Sequence, residues 1–110
     1  METPLKGDVV VVPFPFSDLA AAKKRPALVL SVLRGDDIIL CQITSQQTKD
    51  GYAIPLREDE LRDGTLRQDS NIRPNKLFTA DRSLILYKAA SLKTAKVQQV
   101  AQRVCEIIKG

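Results

Sequence analysis

A chain of 110 residues with 44% apolar residues is the size of one domain and can bury a core without disulfide or metal staples. Its 17 basic residues against 13 acidic ones give a net charge of +4, which favours a polyanionic partner without requiring one. Having neither histidine nor tryptophan, it excludes acid–base chemistry driven by an imidazole and any histidine-based metal centre.

In chain order, Val9 to Val12 is β-branched throughout and reads as a buried strand that stops at Pro13. Phe14-Pro15-Phe16 is no central strand, because proline removes a ladder donor, and Ser17 to Lys24 reads as a loop. A second strand is expected over Pro26 to Leu33, a hairpin at Gly35-Asp36 and a third strand over Ile38 to Thr44. After the polar segment Ser45 to Gly51, Tyr52 to Leu56 alternates like an edge strand. Glu58 to Leu61 then looks like a helical turn stopped by Gly64. Two short strands are expected around Ser70 to Arg73 and Leu77 to Asp81, followed by the apolar run Leu84 to Tyr87.

The period then changes. Val97, Val100, Ala101, Val104 and Ile108 recur at helical spacing, predicting one amphipathic helix from Ser91 or Lys93 to just before Gly110. Its apolar stripe needs a sheet to pack on. The expected fold is therefore mainly β with a C-terminal helix: a small twisted antiparallel sheet or partly open barrel, as one domain over residues 1–110. Cys41 and Cys105 each lie in an apolar pattern and are expected to be buried free thiols. No apolar stretch opens the chain and no run approaches the roughly 20 residues that span a membrane, so the expected location is the cytoplasm.

The chemistry-bearing step is Lys24-Arg25-Pro26, set before the apolar run Ala27 to Ser31. Arginine is permanently charged and presents a planar fork of donors that suits phosphate. Neither cysteine has a nearby cysteine partner, no carboxylate cluster has ligand spacing, and a glycine-rich phosphate loop is absent, so no metal or cofactor is expected. What remains is electrostatic catalysis, a charged donor plus hydroxyls aimed at a phosphate. By position alone, Arg25 is equally a solvated charge or the partner of Asp8 or Asp18, and Thr44 is equally an ordinary strand-end threonine.

Strand, loop, Arg25-Pro26, strand, and a strand ending Ile43-Thr44-Ser45-Gln46 follow one another in an order that resembles the MazF/PemK-like toxins. These are small ribonucleases of bacterial toxin–antitoxin pairs. The resemblance covers nearly all of the chain and is densest over residues 7–46. It implies the MazF/PemK/CcdB-like fold, an SH3-like partly open barrel, with Arg25 and Thr44 as the catalytic pair. It also implies metal-free cleavage of single-stranded RNA by 2′-hydroxyl attack, leaving a 2′,3′-cyclic phosphate and a 5′-hydroxyl.

Lys23 and Lys24, which flank Arg25, and Arg73 and Lys76, in the region where the family carries further RNA contacts, are candidate phosphate contacts, with a solvated charge the alternative for each. Phe14 and Phe16 suit stacking on bases, with core packing the alternative for at least one of them, and Ser45, Ser70 and Asn71 are candidate base contacts. Ser70 and Asn71 equally suit a turn. The partners implied are a second copy of the chain and a cognate antitoxin whose acidic tail covers the RNA groove. Two departures stand out. Asn75-Lys76-Leu77-Phe78-Thr79 replaces a Glu-Gln-Ile-Arg-Thr-like stretch, so the cleavage sequence is not inherited. Tyr87 to Leu92 lacks the glycine often found before the last helix. The alternatives are a gyrase-inhibiting toxin of the related CcdB-like type and a barrel that binds RNA or protein without cutting. The first carries a Trp-Gly-Ile end, whereas this chain ends Ile107-Ile108-Lys109-Gly110.

Overall fold

Among the described residues, seven strands and one helix run in chain order as β1 (Asp8–Phe14), β2 (Lys23–Val32), β3 (Asp37–Thr44), β4 (Ile54–Leu56), β5 (Leu61–Gly64), β6 (Ser70–Asp81), β7 (Tyr87–Leu92) and α1 (Thr94–Lys109). Short 3₁₀ turns at Glu58–Glu60 and Arg82–Leu84 precede β5 and β7. The computed structural model describes residues 3–14 and 23–110; Phe16 and the expected loop up to Ala22 lie outside these residues, as does the side chain of Phe14.

The strands form one antiparallel sheet in the order β4-β6-β3-β2-β1-β7-β5, curled into a half-barrel. Side chains alternate across a strand, so the valines of β1 serve two cores. Val9 joins Leu28, Cys41, Ile43 and Ile72 beneath Val97 and Val100 of α1. Val10 and Val12 join Ala27, Val29, Ile38 and Leu40 on the other face, where Ile85 packs. Burial on both faces explains why β1 is apolar without interruption. The β2–β3 hairpin turns where expected, with Gly35 at φ 76°, a left-handed value that glycine adopts without strain.

Four expectations are corrected. β1 does not stop at Pro13 but runs to Phe14; β7 pairs with it only as far as Val11, so by Pro13 one side of the strand is an edge, where proline is tolerated. β6 is one strand of 12 residues rather than two short ones. Its register against β3 jumps between Cys41–Leu77 and Gln42–Arg73, so the bulge takes up Pro74, Asn75 and Lys76.

The third correction concerns Leu61–Gly64. The turn at Glu58–Glu60 is present, but Leu61 leaves it in extended conformation and the segment is β5, paired with β7. Gly64 does not stop a helix. At φ 82° it lets β5 lie so close to β7 that a Cβ would clash with the Ala89 carbonyl oxygen and with Ala90. The fourth concerns α1, whose range is as expected but whose stripe is narrower. Ile108 is 71% exposed, Ile107 is half-buried in its stead, and Cys105 is exposed. Cys41 is buried, and that burial pushes its thiol up to about 12, which leaves it inert.

Candidate functional site

A cleft of about 670 Å³ opens at the end of the sheet where β2 and β3 outrun their shared ladder. One wall is Lys23 to Pro26 of β2 with Ile43 to Ser45 at the end of β3; the other is Thr65 to Gln68 with Tyr87 to Ala89 of β7; Val9 and Val11 of β1 lie between. The β2–β3 pairs run Val29–Leu40, Leu28–Cys41 and Ala27–Gln42. Beyond that last pair Arg25 is held against Val12 of β1 and Thr44 against Asn71 of β6, and both residues line the cleft.

Arg25 is half-buried, and among the described residues its side chain has no hydrogen-bond or ion-pair partner. Asp8, one of the partners its position suggested, is engaged elsewhere. Its buried carboxylate accepts from the Ser91 hydroxyl at 3.0 Å and the Leu5 N–H at 2.9 Å, with Lys88 Nζ at 3.6 Å. Thr44 is 7% exposed, and its Oγ1 accepts from the Gln46 N–H at 3.2 Å. A hydroxyl that accepts still has its own proton to donate. The Gln46 carbonyl in turn accepts from Asn71 Nδ2 at 3.2 Å, which ties the turn after Thr44 to β6.

Lys23, Lys24 and the exposed Ser45 line the same cleft. Ser70 lines it too, but its hydroxyl donates to the Gln68 carbonyl at 3.2 Å, the turn role that its position equally suited. Arg73 does not line the cleft. Its Nη2 lies 2.8 Å from Asp50 Oδ2, and Asn75 donates to the same oxygen at 3.2 Å. The Tyr52 N–H and the Arg73 guanidinium hold the Asp50 carboxyl well below the usual carboxylate range. Lys76 sits exposed in the β6 bulge, away from the cleft. Three cleft residues were not legible in the sequence: Tyr87 and Lys88, which reach the cleft because β7 pairs with β1, and Arg67, which follows β5 where it pairs with β7. The glycine at 64, read as a helix stop, was the available signal.

The electrostatics are one-sided. Lys23, Lys24, Arg25, Arg67 and Lys88 line the cleft, and no aspartate or glutamate does so among the described residues. Nor do three His, Cys, Asp or Glu side chains gather there, or anywhere else among the described residues, as they would to hold a metal ion. No helix is long and apolar enough to cross a membrane.

The family described as "PemK-like, MazF-like toxin of type II toxin-antitoxin system" matches residues 5–108. The chain belongs to this family. The PemK/MazF-like fold is equally clear in solved structures. MazF in a MazE–MazF crystal structure from Deinococcus radiodurans is similar at a TM-score of 0.76 and 19% identity, over 98% of each chain. An endoribonuclease from a mycobacterial species is similar at 0.74 and 12%, over 99% of this chain and 94% of that one. Another mycobacterial endoribonuclease, in complex with its cognate antitoxin, is similar at 0.73 and 10%, over 97% and 96%. No curated protein sequence matches the chain. The PemK/MazF-like chain thus shares the architecture of these endoribonucleases while having few residues in common with them.

Proposed function

We propose that this toxin is a sequence-specific endoribonuclease that cuts single-stranded RNA without a metal ion, with Arg25 and Thr44 as its catalytic pair. The observation that carries the reading is that Arg25, without a side-chain partner among the described residues, and the buried Thr44 line one cleft, to which those residues contribute basic and not acidic side chains. A polyanion is the ligand such a lining attracts.

The RNA 2′-hydroxyl attacks its own adjacent phosphate, so the nucleophile is already tethered to its target. The 2′-O–P bond forms and the P–O5′ bond breaks. The 2′-hydroxyl proton passes to solvent, and the departing 5′-oxygen takes one from solvent. The products are a 2′,3′-cyclic phosphate and a 5′-hydroxyl. Negative charge grows on the phosphate oxygens, and Arg25 meets it with two parallel donors. Its pKa above about 12 makes it a poor proton donor, so its role is charge stabilisation. Thr44, already accepting from Gln46, has its proton free for the same oxygens. Lys23 and Lys24 track the backbone, and Ser45 stands beside the bases. DNA lacks the attacking hydroxyl, so the reaction itself selects RNA.

The active species is a cytoplasmic homodimer, silenced by a cognate antitoxin whose acidic segment competes for the basic cleft. The test is a long RNA incubated with purified protein, with and without chelator, and mapped for cut sites and end chemistry. Cuts at one recurring short sequence, unaffected by chelator and ending in cyclic phosphate, are expected. Intact RNA, or cleavage abolished by chelator, would overturn the proposal.

A further inference from the structure

Val11 of β1 pairs with Pro26 of β2 on one side and with Tyr87 of β7 on the other. The three therefore form one row across three strands, about 10 Å from end to end, and all three line the cleft. One end of the row, Pro26, follows Arg25 in β2. The other is Tyr87, 55% exposed and, among the described residues, without a side-chain partner. A large exposed aromatic ring at the end of an apolar strip inside a basic cleft is the arrangement on which bases of single-stranded nucleic acid stack.

The neighbours of Tyr87 are held in place. Lys88 Nζ lies 3.6 Å from the buried Asp8 and 4.0 Å from Asp63, so its charge is shared with two carboxylates. The segment carrying Arg67 is anchored by the Leu66 N–H, which donates to Glu58 Oε2 at 3.2 Å, and by the close approach of Gly64 to Ala89 and Ala90. Arg67 itself is exposed and has no ion-pair partner among the described residues. Of the two cations on this wall it is the one whose charge is uncommitted.

We propose that Tyr87 is a platform on which a base next to the cut in the bound RNA stacks, and that Arg67 takes the flanking phosphate. The cleft then recognises RNA on both walls, the β2–β3 wall holding the reacting phosphate and the β5–β7 wall setting which base is accepted beside it. This rests on the reading of the cleft as an RNA endonuclease site.

The probe is the RNA segment around the mapped cut, made uncleavable by a 2′-O-methyl group at the reacting nucleotide and carrying 2-aminopurine at each neighbouring position in turn. Wild type and Tyr87→Phe are expected to quench the fluorescence at one position. Tyr87→Leu should lose that quenching and bind on the order of 10-fold more weakly. Arg67→Gln should reduce the slope of log affinity against log salt by about 0.7. A Tyr87→Leu variant that quenches and binds like wild type overturns the platform. So does weakened binding that follows a change in oligomeric state by light scattering, since Tyr87 would then serve a protein contact shared with exposed Leu84 and Leu86. Wild type that neither binds nor cuts RNA removes the endonuclease reading itself. Cutting by wild type with the Tyr87 result negative removes only the platform.

Discussion

Arg25 and Thr44 line one cleft, each two residues past the Ala27–Gln42 pair that ends the β2–β3 ladder. Two residues 19 positions apart in sequence are thereby brought to one site by a hairpin that turns on a glycine of positive φ. Backbone pairing holds each in place, Arg25 against Val12 of β1 and Thr44 against Asn71 of β6.

Replacing Arg25 should therefore remove activity and spare the fold. Arg25→Ala is expected to lower kcat/KM on RNA by about 100-fold or more, the typical loss when one preorganised charge at a reacting phosphate is deleted. Its urea midpoint should stay close to that of wild type, because the side chain has no partner among the described residues. Arg25→Lys should recover little, since a point charge does not replace a planar fork. A folded Arg25→Ala protein that cuts at the wild-type rate would remove Arg25 from the mechanism.

Thr44 should act through its hydroxyl. Thr44→Val keeps the β-branched shape in a site only 7% exposed but deletes both the acceptor for the Gln46 N–H and the proton proposed for the phosphate. Turnover is expected to fall by about 10-fold or more while affinity for an uncleavable RNA changes little, the pattern of an interaction made in the transition state. Equal turnover in the two proteins would make Thr44 structural and turn attention to Ser45.

The central strands, the hairpin and the helix were legible in the sequence because each carries a strong local signal: a β-branched run, Gly-Asp, and a 3.6-residue period. Legible too was one wall of the cleft, which comes from two consecutive strands. The opposite wall was not, because it depends on β5 pairing with β7 across more than 20 intervening residues, and a strand of four residues ending in glycine has almost no local signature. The placement of Arg73 was hidden for a related reason. As a charge in a polar segment it suits phosphate, and in the fold it pairs with Asp50, a contact no local pattern reveals.

Gly64 should be the position on which that hidden wall depends. Alanine there meets both an unfavourable φ of 82° and the backbone of Ala89 and Ala90. Gly64→Ala is expected to lower stability by about 2 kcal/mol in urea unfolding and to weaken RNA binding through displacement of Arg67 and Tyr87. Gly35→Ala serves as the control. It shares the positive φ, at 76°, but its Cβ would meet nothing, so the loss should be smaller and confined to stability.

The ion pair between Lys96 of α1 and Glu60, 2.9 Å long, should be asymmetric. Lys96 is 7% exposed and Glu60 31%. Burial pushes the Glu60 carboxyl up, but the bonds from Lys96 and from the Arg57 N–H outweigh it and leave the group below its ordinary value. Removing the acid strands a buried ammonium, whereas removing the base leaves a carboxylate with partial access to water. Glu60→Gln is therefore expected to cost about 2 kcal/mol and Lys96→Met less than about 1. Equal losses in urea unfolding would show that solvent reaches the ammonium and that the pair behaves as a surface contact.

Asp50 offers a pH test of the loop that follows β3. Its carboxylate accepts from the Tyr52 N–H at 3.0 Å, from Arg73 at 2.8 Å and from the Thr48 hydroxyl at 3.2 Å, which together hold it well below the usual range. A carboxylate whose folded-state pKa is depressed contributes stability that is fully present above its unfolded value of about 4 and is lost as pH falls through the lower folded value. Asp50→Asn cannot carry that charge. The variant should therefore melt below wild type at pH 7, and the gap between their melting temperatures should narrow as pH drops below about 4. Glu60 and Asp81 are shifted in the same direction, so both proteins lose stability in acid, and the difference between the two curves isolates Asp50. A gap that stays constant from pH 7 to pH 2 would mean that Asp50 holds the loop by shape and hydrogen bonding alone, with its charge contributing nothing.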